Sequence, residues 1–247
     1  MREHFTEYYS PSRDDYKALW ENATIVFDTN VLLDLYRLPA AARDQFLDLL
    51  ELLKDRLWLP HHVALEFQRR RLTVISGERL STEKTLEKAQ NLHDTVLEAV
   101  TNLEIEKRGL GIETKPLIEA FSASKDALMA AIEKTHDSLA DISTPDAIRE
   151  RIDQIIGENI GPPPSNQSEL DELTKDGDHR YENDIPPGYK DAIKDKDPTN
   201  ANFRYDGLTY ASKFGDLILW RQILSAFSVQ KDASVLFVTS DQKEDWW

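Results

Sequence analysis

The chain has 247 residues, 40% of them hydrophobic, carries a formal net charge of -15 and contains no cysteine. That length suits one large domain or one domain with an insertion. The missing thiol excludes disulfides, zinc–thiolate sites and cysteine nucleophiles, and the acidity argues against a generic nucleic-acid binder, which is usually basic. An acidic balance has two readings, a surface kept soluble by charge or carboxylates gathered to hold cations, and only their placement decides between them. No apolar run approaches the roughly 20 residues of a membrane span. The opening "MREHFTEYYSPSRDDY" lacks the apolar centre of a signal peptide. A cytoplasmic protein with no membrane partner is expected.

In chain order, "TIVFD" (24–28) is apolar and β-branched, a short buried strand that ends on a carboxylate. A helix is expected over 31–38, stopping at Pro39. In "AARDQFLDLLELLKDR", Phe46, Leu49, Leu50 and Leu53 fall on one helical face. "LWLP" predicts a second short strand closed by Pro60, and "HHVALEFQRRRLTVI" returns to helical spacing at Val63, Phe67 and Val74. This β-α-α-β-α rhythm is that of an α/β sandwich. Over 81–140 the apolar residues step by three or four, from Leu86 to Leu103 and again from Leu117 to Leu139. With the glycines of "KRGLG" between them, the spacing predicts a long inserted antiparallel helical hairpin. It would serve as a binding arm, or as a buttress or dimer contact. "STPDAIRERIDQIIGENIGPPP" predicts a helix capped by Ser143 or Thr144 and ended by Gly161. Residues 162–202 are polar and acidic and are expected to form a long loop that orders on binding, with simple disorder as the alternative. "GDLILWRQILSAFS" is a helix, and "SVLFVTSD" is a strand that again ends on an acid, Asp241.

Ligands of open parallel sheets bind beyond the carboxyl ends of the strands. Neighbouring strands ending in Asp28 and Asp241 would bring two anions together, and each would raise the other's pKa. A divalent cation removes that conflict; phosphoacceptor and nucleotide sites also use strand-end acids. Glu66 in "VALEFQRR" and Asp216 in "FGDLILW" complete a set of four. Taken singly, Glu66 reads as a solvated helix-face acid and Asp216 as an acid favoured by the helix dipole. As a set, their hard oxygens suit Mg²⁺ or Mn²⁺, ions that activate water and stabilise a phosphodiester under in-line attack.

The segments "FDTNVLLDLYR", "LWLPHHVALEFQRRR", "IPPGYKD", "GDLILWRQIL" and "VLFVTSDQKEDWW" resemble, in order, those of the PIN-domain nucleases, most closely a bacterial PIN-like branch with a helical insertion. The resemblance implies one PIN-like domain over 1–247, a three-layer sandwich with a mostly parallel central sheet and an inserted long helical hairpin. It implies that Asp28, Glu66, Asp216 and Asp241, with Asp245 as a fifth acid, hold one or two Mg²⁺ or Mn²⁺ ions and activate water for RNA cleavage. Asn30 and Thr239 would orient carboxylates or phosphates, or else act as local caps. Such domains often serve bacteria as toxins or in antiphage defence. Where members of the branch continue with another strand or helix, this chain ends at Trp247, which puts the role of Asp245 in question.

A polyanionic substrate needs cations. Arg37, Arg69, Arg70, Arg71 and Arg79 lie close in sequence to Asp28 and Glu66, and Lys190 and Lys243 flank the other motifs; the arginines would equally well pair with the many acids. Tyr189, Trp246 and Trp247 are candidates to stack on bases, or to pack. His61 and His62 are candidate proton donors at a helix start; His93, His136 and His179 show no partner in the sequence. The leading expectation is a metal-dependent endoribonuclease acting on single-stranded RNA, with a DNase or a non-catalytic RNA- or protein-binding module as alternatives. A homo-oligomer or a partner protein would use the hairpin. A phosphatase of the aspartyl-phosphate type would want a second Asp at position 30, where this chain has Asn30.

Overall fold

The structure is a computed structural model that describes residues 1, 4, 5, 8–104, 108, 112–137, 139–229 and 233–246. The chain divides into two compact units. The first comprises Met1–Asp34, Phe46–Arg69 and Arg149–Trp247, the second Leu35–Gln45 and Arg70–Ile148. No helix among the described residues is long and apolar enough to cross a membrane.

The first unit is built on a small parallel sheet. Strand β1 (Thr24–Phe27) pairs with β4 (Val235–Val238) in parallel, from Thr24 opposite Val235 to Phe27 opposite Val238. Ile25, Val26 and Phe27 are buried, as expected of a strand covered on both faces. The expected strand at "LWLP" is reduced to two single parallel bridges, Ile25 to Leu57 and Leu59 to Ile160. Trp58 N–H donates to Ile25 O at 3.0 Å, while Leu59 N–H donates to Asn159 O at 2.9 Å on the other side. Pro60, with no N–H, ends the run.

Helix α1 (Arg13–Asn22) precedes β1 and opens on a capping box between Ser12 and Asp15. Helix α2 (Thr29–Asp34) follows β1 directly, and α3 (Ala40–Leu53) and α4 (His61–Asn102) come next. Helix α4 starts in the first unit and continues in the second, so there is no break at residue 81. In the second unit, α4 meets α5 (Thr114–Asp137). The His93 ring stacks on Phe121 at 5.3 Å and its Nε2 lies 2.9 Å from Ser122 Oγ, and Lys125 Nζ donates to Gln90 Oε1 at 3.0 Å. Numbers that rise on one helix fall on the other, so the helices run antiparallel at this contact. His93, for which the sequence shows no partner, is thus bonded and buried. Of the expected turn, Lys107, Gly109, Leu110 and Gly111 lie outside the described residues, as do Trp247 and the side chain of His136.

Helix α6 (Ala147–Ile156) leads into residues 162–202, where the expectation of a long loop fails. Helices α7 (Gln167–Thr174) and α8 (Gly177–Glu182) and a 3₁₀ helix (Tyr189–Lys196) occupy it. Asn166 caps α7 by accepting from Glu169 N–H. Leu170 and Tyr181 enter a core cluster with Leu65, Leu208, Tyr210, Phe214, Leu217 and Ile218. One apolar anchor per short helix is too sparse a pattern to read as periodic, yet it suffices to fix the segment. An antiparallel hairpin follows, β2 (Asn202–Tyr205) with β3 (Leu208–Ala211). Its turn places Asp206 and Gly207 at φ 49° and 76°, the conformation that Asp-Gly turns favour. A single-turn 3₁₀ helix (Ser212–Phe214) then leads into α9 (Gly215–Phe227).

Candidate active site

The two parallel strands end side by side, as their pairing dictates. Asp28 N–H donates to Val238 O at 2.9 Å, so the residues just past each strand meet. Asp28 is buried. Its Oδ2 accepts from Thr239 Oγ1 at 2.7 Å and from Asn30 Nδ2 at 2.7 Å. Asn30 Nδ2 also donates to Thr239 Oγ1 at 3.0 Å, and its Oδ1 accepts from Ser240 N–H at 3.0 Å. Both polar residues of the two motifs are therefore turned onto the carboxylate. Burial pushes the Asp28 carboxyl up to about 6; the Thr239 bond opposes this, and the charges of Glu66 and Asp241 add to it.

Asp216 sits in the first turn of α9, and its carboxyl is pushed up to about 8. Burial is the main cause, followed by the charge of Asp191 and then of Asp28, with Glu66 also contributing; Lys194 opposes them. The backbone at Gly188 passes against this carboxylate. A Cβ there would lie 2.8 Å from Asp216 Oδ2, and φ is 79°, so glycine is required on both counts. Asp241 behaves differently. Burial alone would raise its carboxyl, but the Lys243 N–H and ammonium group outweigh that and hold it below the ordinary range. Lys243 N–H reaches Asp241 Oδ1 at 2.9 Å and Nζ reaches Oδ2 at 3.0 Å.

Asp245 is 1% exposed. One oxygen accepts from Lys190 N–H at 3.2 Å, while Oδ1 is buried with no hydrogen-bond partner among the described residues. Tyr181 has its hydroxyl pushed upward by burial and then by the charges of Asp216, Asp191 and Asp245. Asp191 was not among the acids singled out in the sequence. It lies on the 3₁₀ helix Tyr189–Lys196, and its charge is the largest electrostatic influence on Asp216. Its sequence signal is the Asp191–Lys194 spacing, which a 3₁₀ helix places on one face. His62 is buried beside the cluster and held down to about 4, chiefly by burial, against the pull of Glu66.

Asp28, Glu66, Asp191, Asp216, Asp241 and Asp245 are thus linked through the fields they exert. No group of three or more acids or histidines among the described residues is gathered closely enough to hold a metal ion as it stands. Several of the expected phosphate-binding cations are engaged in ion pairs or ring contacts. Arg37 and Arg70 belong to the second unit; Arg37 pairs with Glu78 at 3.0 Å, Arg71 with Asp146 at 3.0 Å and Arg79 with Asp141 at 3.3 Å. The guanidinium of Arg69 lies 3.2 Å over the Phe203 ring. Lys190 pairs with Glu244 at 2.8 Å. Trp246 stacks on Phe237 at 5.1 Å and is buried, so it packs rather than presenting a face to a base.

No curated protein and no solved structure matches the chain. The family model of the PIN-like domain matches residues 24–247. The chain therefore belongs to the PIN-like domain family, whose fold is in general a nuclease fold that uses divalent metal ions.

Proposed function

We propose that the protein is a metal-dependent nuclease that hydrolyses phosphodiester bonds, with single-stranded RNA as its substrate. The observation that carries this reading is the pair Asp28 and Asp216. Folding holds both carboxyls well above their ordinary value, chiefly through burial and further through the charges of neighbouring acids, a cost to stability that a site for cations explains. The donor chemistry fits Mg²⁺ or Mn²⁺: the ligands are hard oxygens, and the orphaned Oδ1 of Asp245 is an acceptor in want of a positive partner. Ligation by three of these carboxylates requires their side chains to draw together, since they do not stand at ligating distance.

Asp28, Glu66, Asp216 and Asp241 would hold one or two ions, with Asp245 and Asp191 alongside. A bound ion there would acidify water and neutralise charge on the phosphate. The chain's own residues prepare the site. Asn30 and Thr239 fix Asp28 Oδ2 through two charge-assisted bonds. Lys243 favours the ionised form of Asp241 through its N–H and its ammonium group. The choice of RNA, and a role as toxin or defence effector, rest on the family resemblance alone.

The test is cleavage of an end-labelled single-stranded RNA, and of DNA of the same sequence, with Mg²⁺ or Mn²⁺ and with EDTA. The wild-type protein should cut RNA only with metal, and Asp28→Asn and Asp216→Asn should not cut. Activity retained in both variants overturns the mechanism. Cleavage of DNA alone overturns the substrate, and absence of both Mn²⁺ binding and cleavage favours a non-catalytic binding module.

A further inference from the structure

We propose that Lys194 contacts the phosphate that is cleaved, a catalytic role for a residue outside the acidic motifs; this rests on the nuclease reading above. Five carboxylates, Asp28, Glu66, Asp191, Asp216 and Asp241, are linked by their charges in this site, and buried Asp245 bonds the Lys190 N–H beside them. A phosphodiester entering such a pocket beside a single divalent ion still meets net negative charge, so the approach needs a cation fixed in place. The described cations of the surrounding segments are largely committed elsewhere. Lys190 pairs with Glu244 at 2.8 Å, and Lys213 is held between Asp178 and Asp195 at 2.6 and 2.5 Å with its side chain 14% exposed. Arg221 and Arg180 pair with Asp176. Lys243 clamps Asp241 from both its backbone and its side chain.

Lys194 differs in where it is held. It stands three residues after Asp191 on the 3₁₀ helix Tyr189–Lys196, so the two side chains share a face and form an ion pair. Its Nζ also lies 3.4 Å from Ser212 O. The same segment touches the site at two other points: Gly188 against the Asp216 carboxylate, and Lys190 N–H on Asp245 Oδ2. The positive charge of Lys194 acts on Asp216, in the first turn of α9, and on buried His62, in the first turn of α4. Its side chain is 36% exposed, so it is not sealed in the core. The ammonium is therefore anchored at the rim of the carboxylate cluster by an acid that belongs to the cluster.

The experiment compares wild type with Lys194→Met, Lys194→Gln and Lys194→Arg in two assays. The first is cleavage of single-stranded RNA in Mn²⁺. The second is fluorescence anisotropy of a labelled RNA oligonucleotide in Ca²⁺ over a range of salt. Lys194→Met should lower kcat/KM by about 10²-fold, the loss typical of one preorganised charge at a reacting oxyanion. It should also reduce the salt slope of binding by about one. Lys194→Arg should restore most of both. Lys194→Gln keeps a side-chain donor without the charge, so it should behave like Lys194→Met if charge matters and like wild type if only a hydrogen bond within the segment matters. Wild-type cleavage and salt slope in both uncharged variants, with Asp28→Asn inactive, would overturn the role of Lys194 and leave the nuclease reading intact. A wild-type protein that cuts nothing, yet loses salt-dependent binding on Lys194→Met, would overturn the nuclease reading and keep the phosphate contact.

Discussion

Asp216→Asn should stabilise the metal-free protein, and only above acidic pH. In the folded chain the Asp216 carboxyl is raised from 3.8 to about 8, so the native state keeps a proton that the unfolded chain gives up. Stability then falls as pH climbs between these two values, and the penalty is complete above the folded one. Each pH unit in that window costs about 1.4 kcal/mol, which sets a ceiling of about 4 kcal/mol near neutrality. Part of the penalty is shared with Asp28, Asp191 and Glu66, and the partial exposure of the Asp216 residue screens it. About 2 kcal/mol is the working figure, or roughly 4–8 °C in Tm for a chain of this size. The assay is thermal unfolding in EDTA from about pH 4 to pH 8. The two proteins should melt together at the acidic end and diverge as pH rises, with the variant more stable. Added Mn²⁺ should raise the wild-type Tm more than the variant's. A variant less stable than wild type near pH 8, or a gap independent of pH, would refute the reasoning.

Three further outcomes follow from the same geometry. Thr239→Val removes a donor that lowers the Asp28 carboxyl; followed by carboxyl-carbon NMR in the metal-free protein, Asp28 should titrate about one pH unit higher than in wild type, the worth of a hydrogen bond to a charged group. Gly188→Ala forces a Cβ to 2.8 Å from Asp216 Oδ2 at a positive φ, and should cost about 1–3 kcal/mol in denaturant unfolding and depress cleavage as well. Leu170→Ala empties a site that is 2% exposed, and should cost about 2–5 kcal/mol with faster amide exchange across residues 162–202; no change would mean that the segment is not packed as described.

What the sequence made legible follows from how its signals are carried. The apolar runs before Asp28 and Asp241 read as strands because each is short, continuous and bounded, and the parallel pairing of β1 with β4 then brings the two motif ends together. Asp216 was legible as an acid at the head of an apolar helix, though nothing local foretold how strongly burial and Asp191 would act on it. Asp191 itself was hidden in a stretch crowded with acids, where only a 3₁₀ turn makes its spacing from Lys194 meaningful. The β2–β3 hairpin carries a local signal, the Asp206-Gly207 pair between its two strands. The partners of the arginines could not be read at all. The Arg37–Glu78 pair spans 41 residues of sequence, and tertiary structure alone decides such a contact. The strand expected at "LWLP" shrank to single bridges because Leu57 and Leu59 bond to opposite neighbours, a division no periodicity records.

Calorimetric titration of Mn²⁺ into the protein tests the shared carboxylate cluster most directly. With Asp216 held near 8, binding just below that pH should be saturable at one or two ions and should release a proton, seen as a heat that varies with the ionisation enthalpy of the buffer. Asp216→Asn and Asp28→Asn should each weaken the binding, and the first should abolish most of the proton release. No saturable heat, or the same binding and proton release in all three proteins, would contradict the account.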